Sequence, residues 1–139
     1  MALQTAMAEA ESYLLSKLQG SGAMAGLVGD RIYRGKAPDA PDFPLIIFAY
    51  QAGSYQKVVG GARYVSSLLY AVRAISRIPS TIPEEADLVA ATFDKLLEND
   101  SASPVLLVEC ETPLQREYME GPVTYEERGG LYRILVQGG

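Results

Sequence analysis

Two pairs of glutamates are the residues whose type and spacing come nearest to a catalytic or metal-binding pattern. Glu109 and Glu111 alternate along a predicted strand, so both would project from one face, as an acid–base pair or two metal ligands would. Glu126 and Glu127 are adjacent in sequence. The sequence places no third ligand or nucleophile beside either pair. We therefore predict surface charges here, and no catalytic, cofactor-binding or metal-binding residues.

Cysteine and glycine offer no stronger chemistry. Cys110 is the single cysteine and the chain has no histidine, which excludes an internal disulfide and a His/Cys zinc site. A catalytic thiolate would also need a base, so we predict that Cys110 is a small buried side chain. The pairs Gly60-Gly61 and Gly129-Gly130 lack the Lys-Ser/Thr of a phosphate-binding loop, and we predict that both are turns.

The charge balance disfavours a protein that grips DNA. The 139 residues carry 12 basic and 17 acidic side chains, a net charge of −5. Affinity for DNA comes chiefly from basic groups that neutralise phosphates, so we expect no specific DNA binding. No apolar segment has the length of a membrane span, and the N-terminal residues lack the basic region and apolar block of a secretory signal, so we expect a soluble cytoplasmic protein.

Two amphipathic helices are predicted to support the sheet. The first covers residues 2–18, where apolar side chains recur at spacings of three and four. The second covers residues 83–98 and begins with a capping box of Thr81 and Glu84. Its predicted buried stripe consists of Leu88, Ala91, Thr92 and Leu96, flanked by Val89 and Phe93. Residues 23–28 could form one further short turn.

A long hairpin is predicted over residues 45–78. A proline-rich arm, residues 27–44, precedes it and is expected to be an extended surface connection, because each proline fixes its own φ and restricts its neighbour. The polar stretch 52–62 is predicted to be a long mobile loop. The strand over residues 63–78 carries apolar residues on both faces, so helices or a neighbouring subunit should cover both.

The C-terminal strands are predicted over residues 105–137. A strand at 105–111, two short extended pieces, a turn at Gly129-Gly130 and a closing strand at 131–137 follow one another. In the first strand Val105, Leu107, Glu109 and Glu111 are predicted to share one face and Leu106, Val108 and Cys110 the other. Together the elements predict one α+β domain, residues 1–139, with two helices on one face of a mainly antiparallel sheet.

The nine tyrosines suggest a surface that binds protein. Tyrosine and arginine are favoured in the cores of protein interfaces, although tyrosines also border cores with their hydroxyl in water. Both interpretations stay open for Tyr33 and Tyr55, and we predict that the other tyrosines border the core. The candidate interface residues are Arg31, Tyr33, Tyr55, Lys57 and Arg63.

Four parts of the chain resemble one protein family. They are the N-terminal helix, Leu27-Val28-Gly29-Asp30-Arg31-Ile32-Tyr33 leading through prolines to Phe43-Pro44-Leu45-Ile46-Ile47-Phe48, the long strand, and the closing segment Gly129–Gln137. In these parts the chain resembles the tail-completion or tail-terminator proteins of long-tailed bacteriophages and prophages. The most specific part of the resemblance is Val28–Tyr33 with the proline-led strand that follows.

The resemblance implies a structural virion protein that is not an enzyme. It implies a homo-oligomeric ring, usually a hexamer, at the head-proximal end of the tail, assembled in the host cytoplasm. Such a ring ends the tail tube and contacts the tube protein and the neck and head-completion proteins. We also expect carboxylates such as Glu109 and Glu111 to face the bore, where they would repel passing genomic DNA.

Two alternatives to a terminator remain at this stage. The first is another phage assembly protein, either a neck component of the head-closure or stopper type or a subunit of the tube itself. The second, from a different class, is a small carboxylate-based enzyme or ligand-binding domain.

Overall fold

A computed structural model describes residues 3–57, 64–78 and 85–138 of the chain. It shows a mixed α/β fold with a five-stranded sheet and three helices, where two helices were predicted. The elements are α1 (Leu3–Gln19), α2 (Gly22–Val28), β1 (Ile32–Arg34), β2 (Leu45–Lys57), β3 (Tyr64–Ile78), α3 (Glu85–Leu97), β4 (Val105–Glu120) and β5 (Val123–Gly138). The additional helix is α2, at the place where a short turn was considered.

The strand order across the sheet is β1-β2-β3-β5-β4. The β1–β2 pair is parallel and the other pairs are antiparallel. The segment 27–44, predicted to be an extended surface connection, differs in two ways: its first two residues end helix α2, and its extended residues Ile32–Arg34 join the sheet as β1. The strand forms because Ile32 and Tyr33 suit extended backbone, and Gly29 and Gly35, both with positive φ, turn the chain on either side.

The core lies between the helices and one face of the sheet. Its strand members alternate along β2, β3 and β5, as a single sheet face requires, and include Phe48, Leu68, Tyr70, Val72 and Ile134. On the opposite face of β3 the side chains Val65, Leu69 and Arg73 are only half-buried, whereas Ala71 and Ile75 are buried. Both faces of this strand were predicted to be covered. The structure shows one face covered by the helices and the other partly open to solvent.

The helices confirm the first predicted stripe and correct the second. In α1, Ala10, Leu14 and Leu18 are fully buried as predicted. In α3 the buried side chains include Val89, Phe93 and Leu97, whereas Leu88 is 45% exposed, so the predicted stripe is shifted by about one residue. An apolar helix offers two adjacent stripes, and packing on the sheet chooses between them. The capping box predicted before α3 lies outside the described residues.

Strand β2 is longer than predicted. Residues 52–57, predicted as loop, continue the strand, which pairs with β3 as far as Lys57 and Tyr64 and contains a bulge between Tyr50 and Ala52. A polar sequence with Gly53 forms strand here because the partner β3 supplies the backbone hydrogen bonds. Residues 58–63 lie outside the described part of the chain.

The C-terminal part is one long hairpin. Its turn contains Gly121, which has φ +62°, so the turn predicted at Gly129-Gly130 is wrong. Both glycines lie inside β5, where a Cβ at Gly129 would be 1.9 Å from the Val72 oxygen and one at Gly130 would be 2.7 Å from the Cys110 sulfur. Close approach of a neighbouring strand explains glycine at these positions.

Two bulges change the predicted faces of β4. Register shifts occur between Val105 and Leu107 and between Cys110 and Thr112. As a result Val105 is buried in the core and Leu106 is 43% exposed, the reverse of the predicted alternation. The extra residue of the first bulge breaks the alternation, so that Val105 and Val108, three residues apart, both face the core.

Candidate assembly interface

At one edge of the sheet, the backbone of the second half of β2 has no neighbouring strand among the described residues on its outer side. At the beginning of β2, the Ile46 N–H donates to the Arg31 carbonyl (2.9 Å), and the Phe48 carbonyl accepts from the Gly35 N–H (2.9 Å). Strand β1 pairs no further than Phe48, and no described strand follows it along residues 49–57. An unpaired strand edge of this kind is a template for another strand.

At the opposite edge of the sheet, the backbone of the second half of β4 likewise has no neighbouring described strand on its outer side. Its first half is covered, because the Val108 carbonyl accepts from the Asn99 N–H (2.8 Å) and the Val108 N–H donates to the Asp100 carbonyl (3.0 Å). The Cys110 N–H donates to the Glu98 carboxylate (2.7 Å). From residue 113 to residue 120, β4 pairs with β5 alone among the described strands.

Aromatic and arginine side chains gather near the turn of the C-terminal hairpin. The rings of Tyr118 and Tyr125 stack with centroids 5.3 Å apart, and Phe43 lies 5.5 Å from Tyr125. The Arg116 guanidinium lies 4.4 Å from the Tyr118 ring centre, and Met119 is 69% exposed. This composition is typical of protein interfaces. Sequence reasoning missed the group, although recognising Gly121-Pro122 as the turn would have paired the two tyrosines.

The structure describes the side chains of two of the five predicted interface residues, Arg31 and Tyr33, so the interface role of this set stays a prediction. The Arg31 side chain donates to the Pro44 carbonyl (2.8 Å) and the Leu27 carbonyl (3.4 Å), which ties the arm to the beginning of β2. Tyr33 is half-buried in β1. Tyr55 and Lys57 belong to the far end of β2, and their side chains lie outside the described part, as does all of Arg63.

The predicted surface carboxylates are largely paired. Arg133 forms a two-pronged ion pair with Glu111 (2.7 and 3.1 Å), and this hydrogen bonding lowers the pKa of the Glu111 carboxyl. Glu109 is exposed on the same strand. Glu127 is 8% exposed and paired with Arg116 at 2.9 Å, so the prediction of a surface charge is wrong for this residue. The orientation of Glu109 and Glu111 towards a bore stays a prediction.

A group that sequence reasoning missed lies between α3 and the sheet. Asp94, Glu98 and Cys110 each have one atom of a type that can bind a metal ion, and these three atoms lie within 4.8 Å of one another. They lie beside a cavity of about 410 Å³. Burial, and then the charges of Asp94 and Glu98, raise the pKa of the Cys110 thiol and so disfavour the nucleophilic thiolate. Each carboxylate already accepts an internal hydrogen bond, from the Tyr132 hydroxyl (2.7 Å) and the Cys110 N–H respectively. We interpret the group as part of the packing of α3.

Three tyrosine hydroxyls donate to carboxylates and connect the helical layer to the rest of the fold. Tyr70 of β3 donates to Glu11 of α1 (2.8 Å), and Tyr132 of β5 donates to Asp94 of α3 (2.7 Å). Tyr13 of α1 donates to Asp100, which follows α3 (2.6 Å). In each case burial first, and then the hydrogen-bonded carboxylate, raises the pKa of the phenol. These tyrosines support the fold from within.

Comparisons with known proteins give a structural likeness. No protein-family model matches the chain, and no curated protein sequence matches it. The fold is similar to that of a chain in a solved structure described as the virion of a native gene transfer agent (GTA) particle. The TM-score is 0.62 at 17% sequence identity, and the match covers 99% of this chain and 96% of that chain. None of the described helices combines the length and apolar character that a membrane span requires.

Proposed function

We propose that this chain is a structural virion protein, and specifically a tail terminator or completion protein. In this role six copies form a ring that caps the tail tube and joins it to the head-neck complex. The observation that carries the proposal is the fold likeness to a virion-particle chain, which extends over nearly the full length of both chains. The resemblance of Val28–Tyr33 and the following strand to tail-terminator proteins selects this role among virion proteins.

The geometry of the sheet suits a ring subunit. A ring is built from a heterologous contact, so each subunit must present two different surfaces on opposite sides. Here the open stretches of β2 and β4 lie on opposite sides of one sheet. Glu109 and Glu111 would line the bore in this proposal, although the ion pair with Arg133 offsets the charge of Glu111.

Purified protein is expected to form a discrete hexamer, and to stop growth of its virion's tail tubes when added to polymerising tube protein. Light scattering measures the mass of the assembly, and negative-stain microscopy measures tube length and the occupancy of tube ends. Tube protein polymerised without this chain is the control. Long cylinders formed by this chain alone would indicate a tube subunit instead. Binding to completed heads but not to tube ends would indicate a neck component.

A further inference from the structure

We propose that the open edge of β2, residues 49–57, pairs with the open edge of β4, residues 113–120, in a second copy of the chain. The pairing would be antiparallel and would repeat from copy to copy as the heterologous contact of an assembly. The inference deepens the proposed function, since a ring requires such a contact, but it is argued from the strand edges themselves.

The backbone groups that point away from the sheet follow from its registers. The backbone carbonyl of Phe48 points towards β1, so Phe48 does not hydrogen-bond to Val72, the residue opposite it in β3. Because hydrogen bonding alternates along an antiparallel pair, the odd-numbered residues of β3 are the ones that bond to β2. Beyond the bulge, Ala52 lies opposite Leu69, so the even-numbered residues of β2 now bond to β3. The odd-numbered residues of this part, such as Tyr55, therefore direct their backbone N–H and carbonyl groups outward.

The same alternation applies on the other side of the sheet. Even-numbered residues of β3 bond to β5, and the odd-numbered residues of β5 then bond to β4. Glu127 pairs with Arg116, so Gln115, Glu117 and Met119 direct their N–H and carbonyl groups outward. Pro113 is also in an outward position but has no N–H to donate, so the outward donors of this edge begin at Gln115.

The two edges match in direction and differ in position. Successive antiparallel pairs β2–β3, β3–β5 and β5–β4 make β4 antiparallel to β2, so rotation of one copy onto its neighbour yields another antiparallel pair. The open part of β2 lies level with residues 64–71 of β3, whereas that of β4 begins level with Val72. Neighbouring copies would be staggered by about eight residues, or roughly 26 Å. Stagger gives the strand tilt that closed sheets require.

The charges of the two edges also favour pairing of β4 with β2 over pairing of β4 with a second β4. Strand β2 contains no acidic residue, whereas β4 carries Glu117 and Glu120 in its open half. Pairing two β4 edges would place Glu117 and Glu120 of both copies along one contact, with one basic residue per copy, Arg116, in the same stretch. Pairing β4 with β2 instead brings the hairpin turn to the end of β1, where Lys36 is exposed beside Arg34, which also forms an ion pair with Glu11 of α1.

Replacing Glu117 by proline tests the β4 edge. The substitution removes an outward N–H, which an isolated edge strand tolerates and a paired edge does not. We expect Glu117→Pro to be monomeric by light scattering, while Glu117→Ala, which loses the same charge and keeps the N–H, assembles like the unsubstituted protein. A Glu117→Pro protein with the unsubstituted assembly mass would overturn the inference.

A second substitution tests whether the two edges meet each other. Tyr55→Pro blocks the β2 edge and leaves β4 intact, so an equimolar mixture with Glu117→Pro can form one contact per pair. We expect this mixture to form dimers and nothing larger, although each variant alone stays monomeric. A mixture that remains monomeric would contradict the inference.

Hydrogen exchange supplies a readout that does not depend on how the variants fold. In the unsubstituted assembly the Gln115, Glu117 and Met119 amides should be protected, and on dilution to monomer they should exchange fast. Unprotected amides in the assembly would reject the edge pairing, yet a ring that still caps tubes would leave the proposed function standing. Edge-paired assemblies that ignore tube ends would reject the proposed function alone.

Discussion

Gly129→Ala is expected to destabilise the fold by more than about 3 kcal/mol, among the larger effects of a single substitution. An added Cβ would lie 1.9 Å from the Val72 carbonyl oxygen and 3.0 Å from the Arg73 Cα. Both atoms belong to the backbone of β3, so no side-chain rotation relieves the overlap. Strands β3 and β5 would have to separate locally, at the centre of the sheet.

Gly26→Ala provides the matched control for this prediction. Gly26 lies inside α2, where an added Cβ meets no atom within 4 Å. Alanine is favoured over glycine in a helix by about 1 kcal/mol, so this change should stabilise the protein. Denaturant unfolding of both variants measures the two effects. The close approach of β3 to Gly129 would be contradicted by a Gly129→Ala variant as stable as the unsubstituted protein.

Leu97→Ala is expected to lower the free energy of unfolding by about 2–5 kcal/mol, because it empties a fully buried site. The matched control, Leu88→Ala, lies on the same helix and removes the same atoms from a side chain that is 45% exposed. Its effect should stay below about 1 kcal/mol. Thermal or denaturant unfolding distinguishes the two variants. A larger loss in Leu88→Ala would support the helix orientation predicted from the sequence and contradict the one observed.

Sequence patterns correctly predicted those parts of the fold that depend on residues close together in the sequence. The buried stripe of α1 with Leu14 and Leu18 follows from helical spacing, and the long strand over residues 63–78 follows from its composition. The orientation of α3 did not follow, because Leu88 and Val89 begin two stripes of similar apolar character. Only the sheet against which α3 packs decides between them.

The candidate interface depended on information that one segment does not contain. Whether an edge is open depends on strand order, and hence on pairings such as Val72 with Gly130 between distant parts of the chain. The bulges of β4 reversed the face of Val105, and no residue there signals a bulge. Glycine at position 129 was interpreted as a turn, because the approaching β3 backbone is visible only in the fold.

The hydrogen bonds of Tyr13, Tyr70 and Tyr132 to carboxylates give this chain a built-in optical signal. Without tryptophan, its near-ultraviolet absorption comes mainly from nine tyrosines. Because folding raises the pKa of these three phenols, their contribution to stability is complete below about pH 10 and declines at higher pH. In an alkaline absorbance titration, these three phenols should therefore ionise late, only as the protein unfolds. That late step would report, without any attached label, the release of the helices from the sheet.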